Sequence, residues 1–112
     1  MILSEAVERV GLTPVVEGNA DREVNGGYCS DLLSDVLKNA KSGDVWVTNQ
    51  KHQNCVAVAV LLDLSVIVIA GGMEPDEDTV QKAAAGSVLL YTTDLPAFEV
   101  VGRLYEMGVR AR

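Results

Sequence analysis

Residues 65–70 read Ser-Val-Ile-Val-Ile-Ala, with four β-branched side chains in succession after the serine and no polar residue from 66 to 70. A strand sends alternate side chains to opposite faces, so a run that is apolar at every position must be covered on both sides. That points to a parallel strand inside a sheet sandwiched between helices. Two neighbours fit the same frame: "DVWVT" (44–48) and "SVLLY" (87–91) read as strands. Between them, "NCVAVAVLLD" is apolar almost all round, Ala-rich and too long for a strand, which predicts a buried helix over about 50–62. Gly71-Gly72 then turns the chain. Pro75 suits the first turn of a helix that starts among Glu74, Asp76, Glu77 and Asp78 and ends at Gly86. Thr93 or Asp94, with Pro96, opens a last helix through Phe98, Val101, Leu104 and Tyr105, closed by Gly108.

The first half carries weaker signals. Leu3, Val7 and Val10 recur at helical spacing before Gly11, "TPVVEG" suggests a brief strand, and "REVNGGYC" suggests a strand with an irregular entry at its Gly-Gly pair. From Ser30, a potential cap, Leu32, Leu33, Val36, Leu37 and Ala40 share one helical face, with Gly43 beyond. Strand and helix alternate with short connections, so the expected fold class is α/β: a three-layer α/β/α module, a mainly parallel sheet of about five strands with helices on both faces. At 112 residues, one domain over 1–112 is expected.

Nine basic against sixteen acidic residues give a net charge of −7, with no local Lys/Arg cluster, so nucleic acid is an unsuited partner. The longest apolar stretch, Cys55–Leu62, is too short to span a bilayer, and the charged "MILSEAVERVG" does not resemble a signal peptide. The expectation is a cytoplasmic protein without membrane contact. Cys29 and Cys55 form no CxxC or Cys/His ligand set and are read as reduced thiols.

In open parallel sheets ligands gather beyond the carboxyl ends of the strands, where helix N-termini present free N–H groups. Three segments meet that description: Thr48, Asn49, Gln50, Lys51 and His52; Gly71 and Gly72, followed by Met73; and Thr92 and Thr93, followed by Asp94. If their strands are neighbours, one rim collects hydroxyls, amides, an imidazole and bare backbone. A competing account covers each group: Thr48, Asn49 and Asp94 as helix caps, and the glycines as turn formers. His52 and Cys55, three apart, would share a helical face, and an imidazole could activate a thiol there. Cys55, however, opens a run that should be buried, where a thiol is inert packing. Acidic residues at helix starts, "EPDEDT" as well as Asp31 and Asp35, need only the helix dipole to explain them. There is no GxxxxGK[ST], GxGxxG after a strand, GxSxG or HExxH. Neither catalytic residues, a metal nor a cofactor is therefore expected.

Three stretches together, "GGYCSDLLSDVLKNAKSGDVWVT", "VAVAVLLDLSVIVIAGGMEPDEDTVQKAA" and "LLYTTDLPAFEVVGRLYEMG", resemble the DRTGG domain family, itself similar to the N-terminal domain of HPr kinase/phosphorylase. The likeness runs from about Leu3 to Gly108. It implies a three-layer regulatory module with no activity of its own, found beside CBS and ATP-binding domains. The pentapeptide that names the family is replaced by Asn49-Gln50-Lys51-His52-Gln53, with Lys51 standing for its basic residue and Gln50 for its acid. On this basis the chain is expected to be a homodimeric regulatory module sensing a small metabolite or nucleotide at the strand-end rim. The alternative is a ligand-free adaptor docking on a kinase, phosphotransferase or redox enzyme. A minority reading is a small enzyme using His52 with Cys55 or Cys29.

Overall fold

The computed structural model describes all residues, Met1–Arg112. Its eleven segments run α1 (Leu3–Ala6), a π-helical turn (Val7–Gly11), β1 (Thr13–Val16), β2 (Gly26–Cys29), α2 (Leu33–Asn39), β3 (Asp44–Thr48), α3 (Asn54–Leu62), β4 (Val66–Ile69), α4 (Glu77–Ala85), β5 (Leu90–Thr92) and α5 (Ala97–Glu106). The strands form one sheet in the order β1-β5-β4-β3-β2. β2 through β5 are mutually parallel, and β1 lies antiparallel against β5, pairing Thr13 with Thr92. The expected α/β architecture is what the chain adopts.

β4, the middle strand, is buried at every residue, as its unbroken β-branched run requires. Val66 and Val68 join a core with α1 and α5; Ile67 and Ile69 join a second core with α2, α3 and α4. The uneven distribution of helices follows from topology. Each crossover from β2 to β5 steps one strand in the same direction, and crossovers of one hand then place their helices on one face. Only the segment after β5 crosses to the opposite face, where α5 joins α1.

Helix starts differ from the sequence expectation, and for a common reason. No helix has a side-chain N-cap hydrogen bond. Ser30 Oγ accepts the Leu32 N–H (3.2 Å) and Thr93 Oγ1 the Leu95 N–H (3.2 Å), so both hydroxyls close tight turns ahead of helices that begin at Leu33 and Ala97. Pro75 precedes Asp76, the N-cap of α4, so it sits outside the first turn. α3 begins at Asn54, four residues later than the expected position 50, because residues 49–53 are drawn into contacts with other loops. α3 is also buried on one side only: Val60 and Leu61 are exposed, as are Leu32 and Leu37 near α2.

Candidate functional site

The parallel strands β2 to β5 end on one rim, joined by the start of antiparallel β1. Along this rim the candidate residues fall into three groups.

Thr48, Asn49 and Gln50 are clasped by Asp31. One Asp31 carboxylate oxygen accepts the Thr48 hydroxyl (2.8 Å) and the Asn49 N–H (2.7 Å). The Gln50 N–H donates to Thr48 Oγ1 (3.1 Å), and the Gln50 side-chain amide to the Asp31 carbonyl (2.8 Å). Thr48 is fully buried. Asp31 thus ties the β2 loop to the β3 loop, and it lies ahead of α2 instead of in its first turn.

Lys51 and His52 turn toward α4. The Lys51 carbonyl accepts the Asp76 N–H (3.1 Å) and the Thr79 hydroxyl (2.7 Å). His52 Nδ1 lies 3.0 Å from Asp76 Oδ2. The Asp76 carboxylate thus faces the imidazole and makes no cap bond to α4. His52 precedes α3, so it does not share a helical face with Cys55. Burial pushes the Cys55 thiol up to about 11, which keeps it protonated at neutral pH. Burial also raises the Cys29 thiol, with the nearby Asp31 charge adding to it. Neither cysteine has the depressed pKa of a nucleophile. No three His, Cys, Asp or Glu side chains gather closely enough to hold a metal ion.

Gly71, Gly72, Thr92 and Thr93 form the third group. The Gly71 N–H donates to the Leu95 carbonyl (2.7 Å) and the Gly72 N–H to the Thr93 carbonyl (2.9 Å), binding the β4 and β5 loops to each other. Both glycines have positive φ, 74° and 73°, which explains why glycine occupies each position. Beyond this pair of bonds the loops part, the first toward α4 and the second toward α5 on the opposite face. Divergence of this kind leaves a crevice at the carboxyl ends of the strands.

A cleft of about 430 Å³ occupies that place. Gly72, Thr92 and Thr93 line it, together with Thr13 and Arg103, which the sequence did not single out, and with Gly11 and Glu74, which it read as a helix stop and a helix-start acid. Asp94, read earlier as a cap, lines it too. Arg103 is held in position by Glu99 (Nε to Oε1, 3.2 Å) and by the Val10 carbonyl (Nη1, 3.1 Å), leaving its Nη2 hydrogens without a protein acceptor. Val10 belongs to the π turn, whose widened backbone carries the Leu12 N–H back to the Val7 carbonyl (3.0 Å). Such turns are frequent at functional sites. Arg103 could not be picked out beforehand, because a single arginine on an amphipathic helix looks like any solvent-facing charge.

Neither a protein-family model nor a curated protein matches the chain. Among solved structures it is similar to the CBS and DRTGG domains of the regulatory region of Clostridium perfringens pyrophosphatase, determined in complex with the activator diadenosine tetraphosphate. The TM-score is 0.69 at 12% identity, over 92% of this chain and 45% of that one. The chain therefore spans about half the length of that neighbour and shares a DRTGG-like fold with it. No helix is long and apolar enough to cross a membrane.

Proposed function

We propose that the chain is a non-catalytic regulatory module, acting as a homodimer, that senses a small metabolite or nucleotide in the cleft between the β4 and β5 loops. The observation that carries this reading is the polar cleft at the one point of the sheet where successive connections leave for opposite faces. Its charges narrow the ligand class. Arg103 offers free donors for one anionic group; Glu74 and Asp94 oppose a polyphosphate and suit amines or sugar hydroxyls. A nucleoside, a nucleoside monophosphate or a zwitterionic metabolite fits better than a triphosphate. The regulatory setting of the similar pyrophosphatase region supports a sensing role over a catalytic one.

A thermal-shift series of adenosine, AMP, ATP and amino acids tests this. A ligand at one hundred times its Kd stabilises by about 2.7 kcal/mol, a rise of roughly 10 °C for a chain this size. AMP or a zwitterion should raise Tm more than ATP, and Arg103→Gln should abolish the rise. Unchanged Tm with every compound at millimolar concentration would sink the ligand-sensing reading.

Exposed Leu32, Leu37, Val60 and Leu61 on the α2 and α3 side favour the second reading, an adaptor that docks on a protein partner. Leu61 is 74% exposed, the most of these four. Capture of one defined partner from the native cell, lost on Leu61→Glu, would support it.

A further inference from the structure

The sheet is covered unevenly. α2, α3 and α4 pack on one face but only α1 and α5 on the other, and beside α5, over β2 and β3, an apolar trench of about 290 Å³ is left. Val45 and Val47 of β3 floor it, Val101 and Leu104 of α5 form one wall, and Cys29 of edge strand β2 lines its outer side. Gly27 gives the trench only backbone. A Cβ there would come within 3.1 Å of Val109 Cγ1 and 3.3 Å of Val45 Cγ1, so a side chain at this position would take up the space. Phe98, 89% exposed on α5, stands outside the trench.

One charged residue lines the trench, Arg110, itself exposed and so at the mouth. Its Nη1 donates to the Tyr105 carbonyl (2.6 Å) and the Val109 carbonyl (3.1 Å), and its guanidinium lies 3.6 Å from the centroid of the Tyr105 ring. These contacts hold the guanidinium in place without neutralising it. No carboxylate pairs with it, although the chain carries sixteen acids, and its Nε and Nη2 hydrogens have no protein acceptor.

We propose that the trench binds the chain of a small aliphatic monocarboxylate, with Arg110 taking the carboxylate at the mouth. Capacity and charge both select this class. An apolar cavity of about 150 Å³ holds one benzene, so nearly twice that room suits an unbranched chain of about eight carbons. A fixed guanidinium with two free donor positions matches a carboxylate, whereas an alkylammonium of the same length would meet like charge. The trench shares no lining residue with the cleft between the β4 and β5 loops, so this site stands apart from the proposed function.

The two cysteines supply the test. Cys29 is exposed and lines the trench, while Cys55 is buried in the core on the opposite face. Saturating octanoate should slow iodoacetamide alkylation of Cys29 by roughly fivefold or more, with Cys55 unreactive throughout as the sign of an intact fold. From butanoate through hexanoate to octanoate, affinity should rise about three- to fourfold per added methylene. Octylamine should not protect, and Arg110→Gln should weaken octanoate roughly tenfold. Val101→Trp, which fills the trench from its exposed wall, should remove the protection with circular dichroism unchanged. Absence of protection at millimolar octanoate, equal protection by octylamine, affinity independent of chain length, or octanoate binding unaltered by Arg110→Gln would each overturn the proposal. So would a trench closed by a second copy, seen as Cys29 protection that grows with protein concentration and ignores octanoate.

Discussion

At the residue scale, the Asp31 carboxylate shapes the rim. One of its oxygens receives a buried hydroxyl and a backbone N–H, at 2.8 and 2.7 Å, from the last residue of β3 and the residue after it, seventeen and eighteen positions further on. Hydrogen bonds to a charged acceptor are stronger than neutral ones, and their loss here leaves the Thr48 hydroxyl enclosed without its acceptor. Asp31→Ala should lower stability by about 1–2 kcal/mol, read as a reduced urea midpoint at unchanged m-value. An unchanged midpoint would show that water replaces the carboxylate at no cost. Asp31 is adjacent to Leu32 and Leu33 in a segment of helical pattern, so its neighbours suggest a helix-start charge; the partner that gives it a different role lies on β3. His52 and Asp76 make the same point across 24 residues.

Among the elements, α2 shows how a short helix is fixed to an edge strand. Tyr28 on β2 donates its hydroxyl to Asp35 Oδ1 at 2.7 Å, and Asn39 donates to the same oxygen at 2.7 Å. The Tyr28 hydrogen bond, foremost, holds the Asp35 carboxyl below the usual carboxylate range, and the bond to Asp35 raises the Tyr28 phenol. The two shifts have opposite consequences with pH. A depressed carboxyl stabilises above its unfolded pKa of about 3.9 and loses that contribution as pH falls through its folded value. A raised phenol stabilises below its unfolded pKa of about 10 and loses that contribution as pH rises through its folded value. The stability difference between wild type and Tyr28→Phe should therefore be widest between roughly pH 5 and 9 and should shrink toward both extremes. Urea midpoints at acidic, neutral and alkaline pH measure it, and a pH-independent difference would contradict the coupling.

For the molecule as a whole, the exposed end of the sheet at β2 is secured by the last residues of the chain. The Gly27 N–H donates to the Arg110 carbonyl (3.1 Å), which covers part of an otherwise open strand edge. Arg112 Nη2 reaches Asp44 Oδ1 (2.7 Å), whose side chain is only 1% exposed. Removing the guanidinium strands a buried carboxylate, although the Lys41 N–H still donates to its other oxygen at 2.8 Å. Because Arg112 is itself partly solvated, Arg112→Ala should cost about 1–2 kcal/mol, less than a fully buried pair, with added aggregation through β2. Differential scanning calorimetry with light scattering measures both effects; unaltered Tm would show that the tail contributes no support.

The fold class was legible in the sequence because burial on both faces leaves a local record. Val66–Ile69 can be apolar throughout only in a covered strand, and the glycines and prolines between elements mark where the chain turns. The place of the rim residues was legible too, since Thr48–His52, Gly71-Gly72 and Thr92-Thr93 end or follow strands that had to run parallel. Which of them line a cleft and which lock the rim could not be read locally. That depends on hydrogen bonds between residues far apart in sequence, Asp31 with Thr48 and Lys51 with Thr79, and on α5 crossing to the face opposite α4. The exposure of Phe98 had the same origin: helical spacing places it with Val101 and Tyr105, but only the packed sheet determines which side of α5 is covered.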